Sequence, residues 1–313
     1  MKVVVADYVF KDLDPERRIF AAAAVELVAA QCKTPDELIA VGKDADALLV
    51  QSMPVNAQVI ASLTKCRVIV RYGIGVDSVD LAAAKARGIA VCNVPDYCID
   101  EVADHTVALA LALARQIPAI DQRVRSPVQW SGLPVTPMAA FRDMVFATVG
   151  LGRIARAVLD RAKSFGFQLA AHDPYAPAVP DVASLSIDEL FRQADILSLH
   201  APLTRETKHL VNAARLRQMK ATAILINTAR GGLVDTVALA EALQLRTIAY
   251  AGLDVFENEP LPDEHPLRQC ANALLTSHVA WYSQRSVPLL QRLAAEEVVR
   301  GLRGEPLKNQ VNK

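Results

Sequence analysis

The chain has 313 residues, 52% of them hydrophobic and 22% charged, a globular balance that is long for one core and suits two domains. Lysine plus arginine (34) equals aspartate plus glutamate (34), so no net field favours nucleic acid or an anionic membrane surface as a partner. The opening MKVVVAD lacks the apolar core of a signal peptide, and the apolar run at 107–114 is too short to span a bilayer. Five cysteines (Cys32, Cys66, Cys92, Cys98, Cys270) without CxxC spacing indicate reduced thiols, hence a cytoplasmic protein, and no metal-ligand spacing occurs.

In chain order, residues 2–6 form a β-branched first strand. Residues 20–30 are alanine-rich and read as a helix, and 35–41 as a second, shorter one. A buried strand at 47–50, a helix at 55–63 and a strand at 67–70 lead into RYGIGVD. A helix at 81–87, ended by Gly88, and a strand at 89–92 follow. Strands alternating with helices predict a parallel sheet, so the block to about residue 97 is a small α/β domain. DEVADHTVALALALARQ, residues 100–116, is a long helix with Asp100 as a cap and Pro118 beyond its end. Residues 118–144 hold four prolines and little periodicity and read as an extended arm or loop. With Trp130 and Phe141 in it, the arm is expected to be an oligomer contact or lid, making the protein a homodimer.

The stretch FATVGLGRIARAV organises the second half of the chain. Val145 to Val149 read as a strand, Gly150-Leu151-Gly152 as a glycine turn, and Arg153-Ile154-Ala155 as the start of a helix. Gly150 lets the chain turn tightly, and Gly152 lets a pyrophosphate approach the amides at the helix N-terminus. Ala155 occupies the third small position of the dinucleotide fingerprint. The next strand, 167–171, is followed by Asp173, about twenty residues beyond Gly150. A carboxylate there accepts the ribose hydroxyls of NAD and repels the 2′-phosphate of NADP. Strands at 196–199, 223–226, 248–253 and 274–276, with helices at 187–193, 213–219 and 237–242, give about six strands over 145–277, a complete Rossmann domain. The last helix, 289–301, is expected to pack back on the first domain.

Function in such sheets lies at the carboxyl ends of the strands. That position selects Arg71, Asp173, His200, Arg230, Asp254 and His278, with Glu259 shortly after Asp254. A guanidinium at Arg230, before Gly231-Gly232, matches a carboxylate and polarises a neighbouring carbonyl, although a surface ion pair would use the same residue. His278 reads either as a proton carrier or as a hydrogen-bonded structural histidine. Glu259 is by default a solvated loop carboxylate. Bonded to the imidazole, it would orient the ring and favour its charged form.

VGLGRIAR, HDPY, HAPLT, NTARGGLVD, LDVFENEP and SHVAWYS, in that order, resemble the D-isomer-specific 2-hydroxyacid dehydrogenase family, as do RYGIGVDSVD and EVADHTVALALALAR. The resemblance covers nearly the whole chain. It implies two Rossmann-like or flavodoxin-like α/β domains with the active site in the cleft between them: residues 1–97 plus 283–313 for substrate, 98–282 for NAD. It assigns Arg230 to binding and polarising a 2-oxo acid, His278 to acid/base work, and Glu259 to partnering it. Arg71, Tyr72, Gly73 and Ile74 belong to the loop that meets the substrate, with Trp281 as a pocket wall, although core packing would also account for that tryptophan. The cofactor positions are Thr106, Gly150, Leu151, Gly152, Arg153, Ile154, Asp173, His200, Ala201, Pro202, Thr207, Thr228, Ala229, Asp254, His278 and Ala280, with Asp254 near the nicotinamide carboxamide. Asp143, Ala147 and Ala155 stand where the family pattern has glycine.

Arg71 and the His-x-Ala-Trp-Tyr-Ser run, residues 278–283, further resemble the C-terminal binding protein branch. The implied activity is NAD-dependent hydride transfer between a small 2-oxo acid and its D-2-hydroxy acid. The alternative is an NAD(H)-sensing, corepressor-like protein with residual dehydrogenase activity.

Overall fold

The computed structural model describes residues 1–126 and 130–313. The chain divides into two compact units, Met1–Cys98 with Tyr282–Lys313, and Ile99–Trp281.

In the first unit, β1 (Lys2–Val5), α1 (Asp14–Ala22), β2 (Glu26–Ala29), α2 (Pro35–Gly42), β3 (Ala47–Val50), α3 (Ala57–Ser62), β4 (Val68–Arg71), α4 (Leu81–Ala86) and β5 (Ala90–Cys92) follow in order. The strands form one parallel sheet in the order β2-β1-β3-β4-β5. Apolar runs such as VVV and ALLV are buried along their length, as a sheet covered on both faces requires.

Two elements differ from the sequence reading here. Residues 20–30 are not one helix: α1 starts earlier, at Asp14-Pro15, and ends at Ala22. The chain reverses at Ala24 (φ 54°) and continues as β2, paired with β1. Alanine propensity favours a helix, but the pairing of Leu27 and Val28 with Val3 and Val4 overrides it.

The second unit opens with α5 (Ile99–Ala114) and α6 (Ile117–Arg125). The first part of the expected arm is therefore helical. Gln116, at φ 53°, breaks the chain between the helices, and Pro118 sits in the first turn, where a missing N–H does no harm. No residue of α6 is buried; Ile117, Ile120 and Val124 share one face of it at helical spacing, a signal masked in the sequence by Pro118 and the proline-containing stretch that follows. The portion of the arm at 127–129 lies outside the described residues. Phe141 stacks on Phe167 at 4.7 Å and anchors the arm's far end.

Next come β6 (Val145–Val149), α7 (Arg153–Ser164), β7 (Gln168–His172), β8 (Val182–Ser184), α8 (Ile187–Gln193), β9 (Ile196–Leu199), α9 (Ala213–Leu216), β10 (Ile224–Asn227), α10 (Thr236–Gln244), β11 (Tyr250–Leu253) and β12 (Ala273–Leu275). They form a parallel sheet in the order β12-β11-β10-β9-β6-β7-β8. Among the described residues this sheet has seven strands, one more than the sequence indicated. β8 is a three-residue edge strand without an apolar run of its own. The order reverses between β6 and β9, the switch point where doubly wound sheets leave a crevice for ligands. Helix α11 (Ser286–Leu302) belongs to the first unit, where it packs on α1, β3 and β4.

Candidate active site

At the switch point β6 is followed by Gly150, at φ +96°. A Cβ there would fall 2.7 Å from the carbonyl oxygen of His200, so the turn out of β6 and the exit of β9 require glycine at 150. Gly152, at the N-terminus of α7, differs. Its φ is −72°, and a Cβ would meet nothing of the protein within 4 Å. No side chain caps this end of α7, which together with the space at Gly152 suits the approach of a pyrophosphate to a helix N-terminus. Leu151 is buried beneath the turn, Arg153 is exposed beside it and Ile154 is half-buried. Ala155 is fully buried, so a small residue suffices for the contact of helix on strand.

Asp173, just past β7, accepts from the amide of Leu151 (2.8 Å) through Oδ2, and from those of Tyr175 (2.9 Å) and Ala176 (3.1 Å) through Oδ1. Burial pushes its carboxyl up, but the Tyr175, Leu151 and Ala176 amides outweigh burial and hold it below the usual range. The carboxylate is thus ionised beside the glycine turn, lining a shallow surface pocket with Leu151, Ala176, Val179 and Val182. These features fit the adenosine half of a dinucleotide.

Past β9, Nε2 of His200 lies 2.8 Å from the Ser198 hydroxyl, and burial pushes the imidazole down to about 4, so it is neutral at ordinary pH. Ala201 and Pro202 continue into a turn closed by Thr207, whose hydroxyl donates to the Pro202 carbonyl (2.7 Å) and accepts from the Thr204 amide (2.7 Å).

Beyond β10, Asn227 folds the chain back by accepting from the Ala229 amide (3.1 Å) and donating to the Arg230 carbonyl (2.9 Å). Arg230 also donates through Nη1 to the Ala229 carbonyl at 2.7 Å. The next residue, Gly231, lies against Phe256: a Cβ there would fall 1.8 Å from the Phe256 carbonyl carbon. Backbone packing at a glycine thereby seats the arginine turn on the segment that carries Glu259.

The Glu259 carboxylate accepts from the Phe256 amide (2.9 Å) through Oε1 and from His278 Nδ1 (2.6 Å) through Oε2. Burial opposes ionisation, but His278, the Phe256 amide and Arg230 outweigh it and hold Glu259 below the usual carboxylate range. An ionised carboxylate only accepts, so Nδ1 carries a proton and Nε2 is the ring atom open to a substrate.

Asp254 organises this loop. Its carbonyl accepts from the His278 amide (2.7 Å), Oδ1 from the Val279 amide (3.0 Å) and the Thr276 hydroxyl (2.5 Å), and Oδ2 from the Ala280 amide (2.9 Å). It is 1% exposed, so it holds the His278 turn from within and presents no carboxylate to a carboxamide, a correction to the cofactor position expected for it. Ala280 is likewise buried, under the turn. The Trp281 indole donates to the His278 carbonyl at 2.8 Å, and His278 itself sits at φ 55°, a conformation these contacts sustain.

Thr228 and Thr106 share a hydrogen bond of 2.8 Å between hydroxyls. Thr106 is fully buried and also donates to the Val102 carbonyl, so it supports Thr228 from beneath instead of lining a cofactor surface. His105, which the sequence reading passed over, bonds the Thr276 hydroxyl at 2.9 Å behind Asp254. Its place after EVAD in the long helix was the only signal available.

In the first unit, Asp7 accepts from the amides of Gln51, Ser52 and Met53, and the Gln51 carbonyl accepts from Arg71 Nε at 3.0 Å. Gly73, at φ +134°, lies under that guanidinium: a Cβ would fall 1.8 Å from Arg71 Nη1. The Gly73 and Ile74 carbonyls accept from the Val94 amide (2.9 Å) and the Asn93 side chain (2.6 Å). Tyr72 corrects an expectation. It is 1% exposed, stacks edge-on against Phe10 and donates its hydroxyl to buried Glu16 at 2.8 Å, so its ring is core and offers no face to a substrate.

Among the described residues, no three His, Cys, Asp or Glu side chains are grouped to hold a metal ion, and no helix is long and apolar enough to cross a membrane. Residues 107–280 match the family model for the D-isomer specific 2-hydroxyacid dehydrogenase, NAD binding domain. A glyoxylate reductase of Thermofilum pendens is 39% identical over 288 residues, 89% of this chain and 84% of that one. A D-3-phosphoglycerate dehydrogenase of Methanocaldococcus jannaschii is 38% identical over 89% of this chain, which spans 54% of that relative's length. The crystal structure of an Aquifex aeolicus D-lactate dehydrogenase, complexed with NAD and lactic acid, matches with a TM-score of 0.88 at 25% identity, covering 97% of this chain and 96% of that one. With the glycine turn, the acid after β7 and the Arg230, Glu259 and His278 loops on one NAD-binding unit, the chain belongs to the D-isomer specific 2-hydroxyacid dehydrogenase family.

Proposed function

We propose that the protein interconverts a small 2-oxo acid and its D-2-hydroxy acid, with His278 as acid/base, Glu259 as its carboxylate partner and Arg230 as the group that binds and polarises the oxo acid. Family membership makes the protein an NAD-dependent oxidoreductase. The observation that carries the residue roles is the 2.6 Å bond from His278 to a Glu259 carboxylate that Arg230 helps keep ionised.

The NAD bound by this unit supplies or accepts the hydride at the nicotinamide ring. Gly150, Gly152 and the first amides of α7 would hold its pyrophosphate, and Asp173 its ribose hydroxyls. In the reductive direction, His278 as imidazolium gives its Nε2 proton to the oxygen on substrate C2 while Glu259 holds the Nδ1 proton. Arg230 draws charge onto that oxygen beforehand, which favours attack at C2. In the oxidative direction the neutral Nε2 takes the hydroxyl proton. Arg71, with Gly73 and Ile74 in its loop, is assigned to the substrate carboxylate.

The relatives' names, glyoxylate reductase, D-3-phosphoglycerate dehydrogenase and D-lactate dehydrogenase, all favour catalysis over the NAD(H)-sensing alternative, and the first and last favour acids with small side chains. Trp281 is proposed as the wall that such a side chain meets. A cytoplasmic homodimer is part of the same reading, supported by exposed Trp130 and Leu133. NADH oxidation should be assayed against glyoxylate, pyruvate, a branched apolar 2-oxo acid, a 2-oxo dicarboxylate and a phosphorylated oxo acid. Turnover is expected with the first three. Turnover confined to the last two would overturn the small-acid reading.

A further inference from the structure

The segment that carries Glu259 is gripped a second time, through Glu257. Glu257 Oε1 accepts from His209 Nε2 at 2.6 Å. Its Oε2 accepts from the amide (3.1 Å) and the hydroxyl (2.7 Å) of Thr236, the first residue of α10. His265 Nε2 lies 3.2 Å from the same hydroxyl, and His265 Nδ1 accepts from the Leu267 amide at 3.2 Å.

The direction of this chain follows from donor counting. Thr236 has one hydroxyl proton and gives it to the carboxylate, so its oxygen accepts from His265 Nε2–H, and His265 Nδ1 is left as the acceptor for Leu267.

His209 ties the same cluster to the arginine turn. Its amide donates to the Gly232 carbonyl at 2.8 Å, two residues after Arg230, and Val211 continues the pairing with Leu233. His209 adopts φ 50°, a left-handed backbone that L side chains rarely enter. Its imidazole and its main chain thus bridge the two segments that meet where Gly231 abuts Phe256.

We infer that Glu257, held by His209 and Thr236, is a positioning residue that sets the Glu259 carboxylate on His278. The route is short. Glu257 follows Phe256, whose amide donates to Glu259 Oε1 at 2.9 Å, leaving Oε2 for the imidazole. Holding Glu257 fixes that amide, and the amide fixes the rotation of the Glu259 carboxylate. The groups facing Glu257 are His209 and Thr236, with His265 behind. Those facing Glu259 are His278, Arg230 and the Phe256 amide.

This inference rests on the reading of Glu259 and His278 given above, and its test separates the two. Glu257→Gln removes the anion and replaces one accepting oxygen by an NH₂, which either faces Thr236 donor against donor or requires His209 Nε2 to change from donor to acceptor. His209→Gly removes the imidazole while suiting the left-handed backbone, so folding is retained. Wild type, both variants and Glu259→Gln are compared in NADH-dependent reduction of glyoxylate across pH, with thermal melts as the check on folding. Both variants should lose about 10-fold in kcat, the range typical of removing a group that orients a catalytic ligand. The alkaline limb of kcat should move to lower pH, as in Glu259→Gln, with KM for NADH held within about twofold.

If Glu259→Gln moves the limb and the two variants leave it unmoved, the inference is overturned and the reading of Glu259 stands, even if their kcat falls. If Glu259→Gln itself leaves the profile unchanged, both fall.

Discussion

His278 Nδ1 lies 2.6 Å from Glu259 Oε2, and neither residue relies on the other alone for its place: the Asp254 carbonyl holds the His278 amide, and the Phe256 amide holds Glu259 Oε1. An imidazole and a carboxylate fixed from separate main-chain sites keep their geometry while a proton comes and goes.

The first prediction follows from that charge coupling. The carboxylate favours the charged imidazole, the proton donor in reduction, and so extends reduction to higher pH. In Glu259→Gln the anion is gone and reduction should fade at a lower pH. The pH profile of kcat checks it, and a rise in the limiting pH would show that the sign of the coupling is wrong.

His278→Ala should lose most turnover, by at least about 100-fold, the lower end of what a positioned general acid contributes. NADH binding, followed by fluorescence titration, should remain, since the glycine turn and Asp173 are elsewhere on the sheet. Retained turnover would remove His278 from the chemistry.

NADH should bind more tightly than NADPH. Asp173 is held ionised by three amides, and a 2′-phosphate beside it would meet like charge in a partly buried site. Competitive titration with the two cofactors decides it, and equal or tighter NADPH binding would refute it.

How much of this was legible in the sequence depends on what each residue signals locally. The strand, glycine turn and helix of 145–164 were readable because glycine spacing and apolar runs report the backbone directly. Arg230, Glu259 and His278 were readable as ends of strands and by resemblance, but their mutual geometry depends on Gly231 against Phe256, a contact between distant segments. Residues 26–29 misled because their strand exists only beside β1, and α6 because Pro118 near its start and the prolines that follow it read as a loop and hid the short stripe of Ile117, Ile120 and Val124. Tyr72 and Asp254 misled in another way. Position put both near the site, yet their polar atoms point inward, to Glu16 and to the turn amides, and no local pattern records which way a side chain faces.

Tyr72→Phe should therefore destabilise the first unit rather than alter specificity. Burial holds the Glu16 carboxyl above its usual range, and the Tyr72 hydroxyl is one of its two side-chain donors, Gln291 being the other. Loss of one partner from a buried polar group costs about 1–3 kcal/mol. Chemical denaturation would show it, and an unchanged midpoint would mean that Glu16 finds another donor.

The protein should run as a dimer in light scattering at micromolar concentration. Ile117, Val124, Trp130 and Leu133 are each more than half exposed, a density of apolar surface on one arm that favours a partner. A monomeric mass would refute the proposal.

The last prediction concerns substrate choice. With Arg71 and Arg230 both assigned to a 2-oxo carboxylate, no further cation in the proposed set is left for a second acidic group, so the side chain should be small or apolar. Trp281 is proposed to wall that side chain, but its indole N–H also holds the His278 carbonyl at 2.8 Å, so two roles must be separated. Trp281→Phe removes the hydrogen bond and keeps an aromatic face, whereas Trp281→Ala removes both. If the face matters, Trp281→Ala should depress kcat/KM for a branched apolar oxo acid more than for glyoxylate, because only the former buries surface against it. The difference should amount to about 1–3 kcal/mol, or roughly 10- to 200-fold. Trp281→Phe should depress both substrates alike, through the His278 turn. An equal loss for both substrates in Trp281→Ala would mean that the indole holds the histidine and not the substrate.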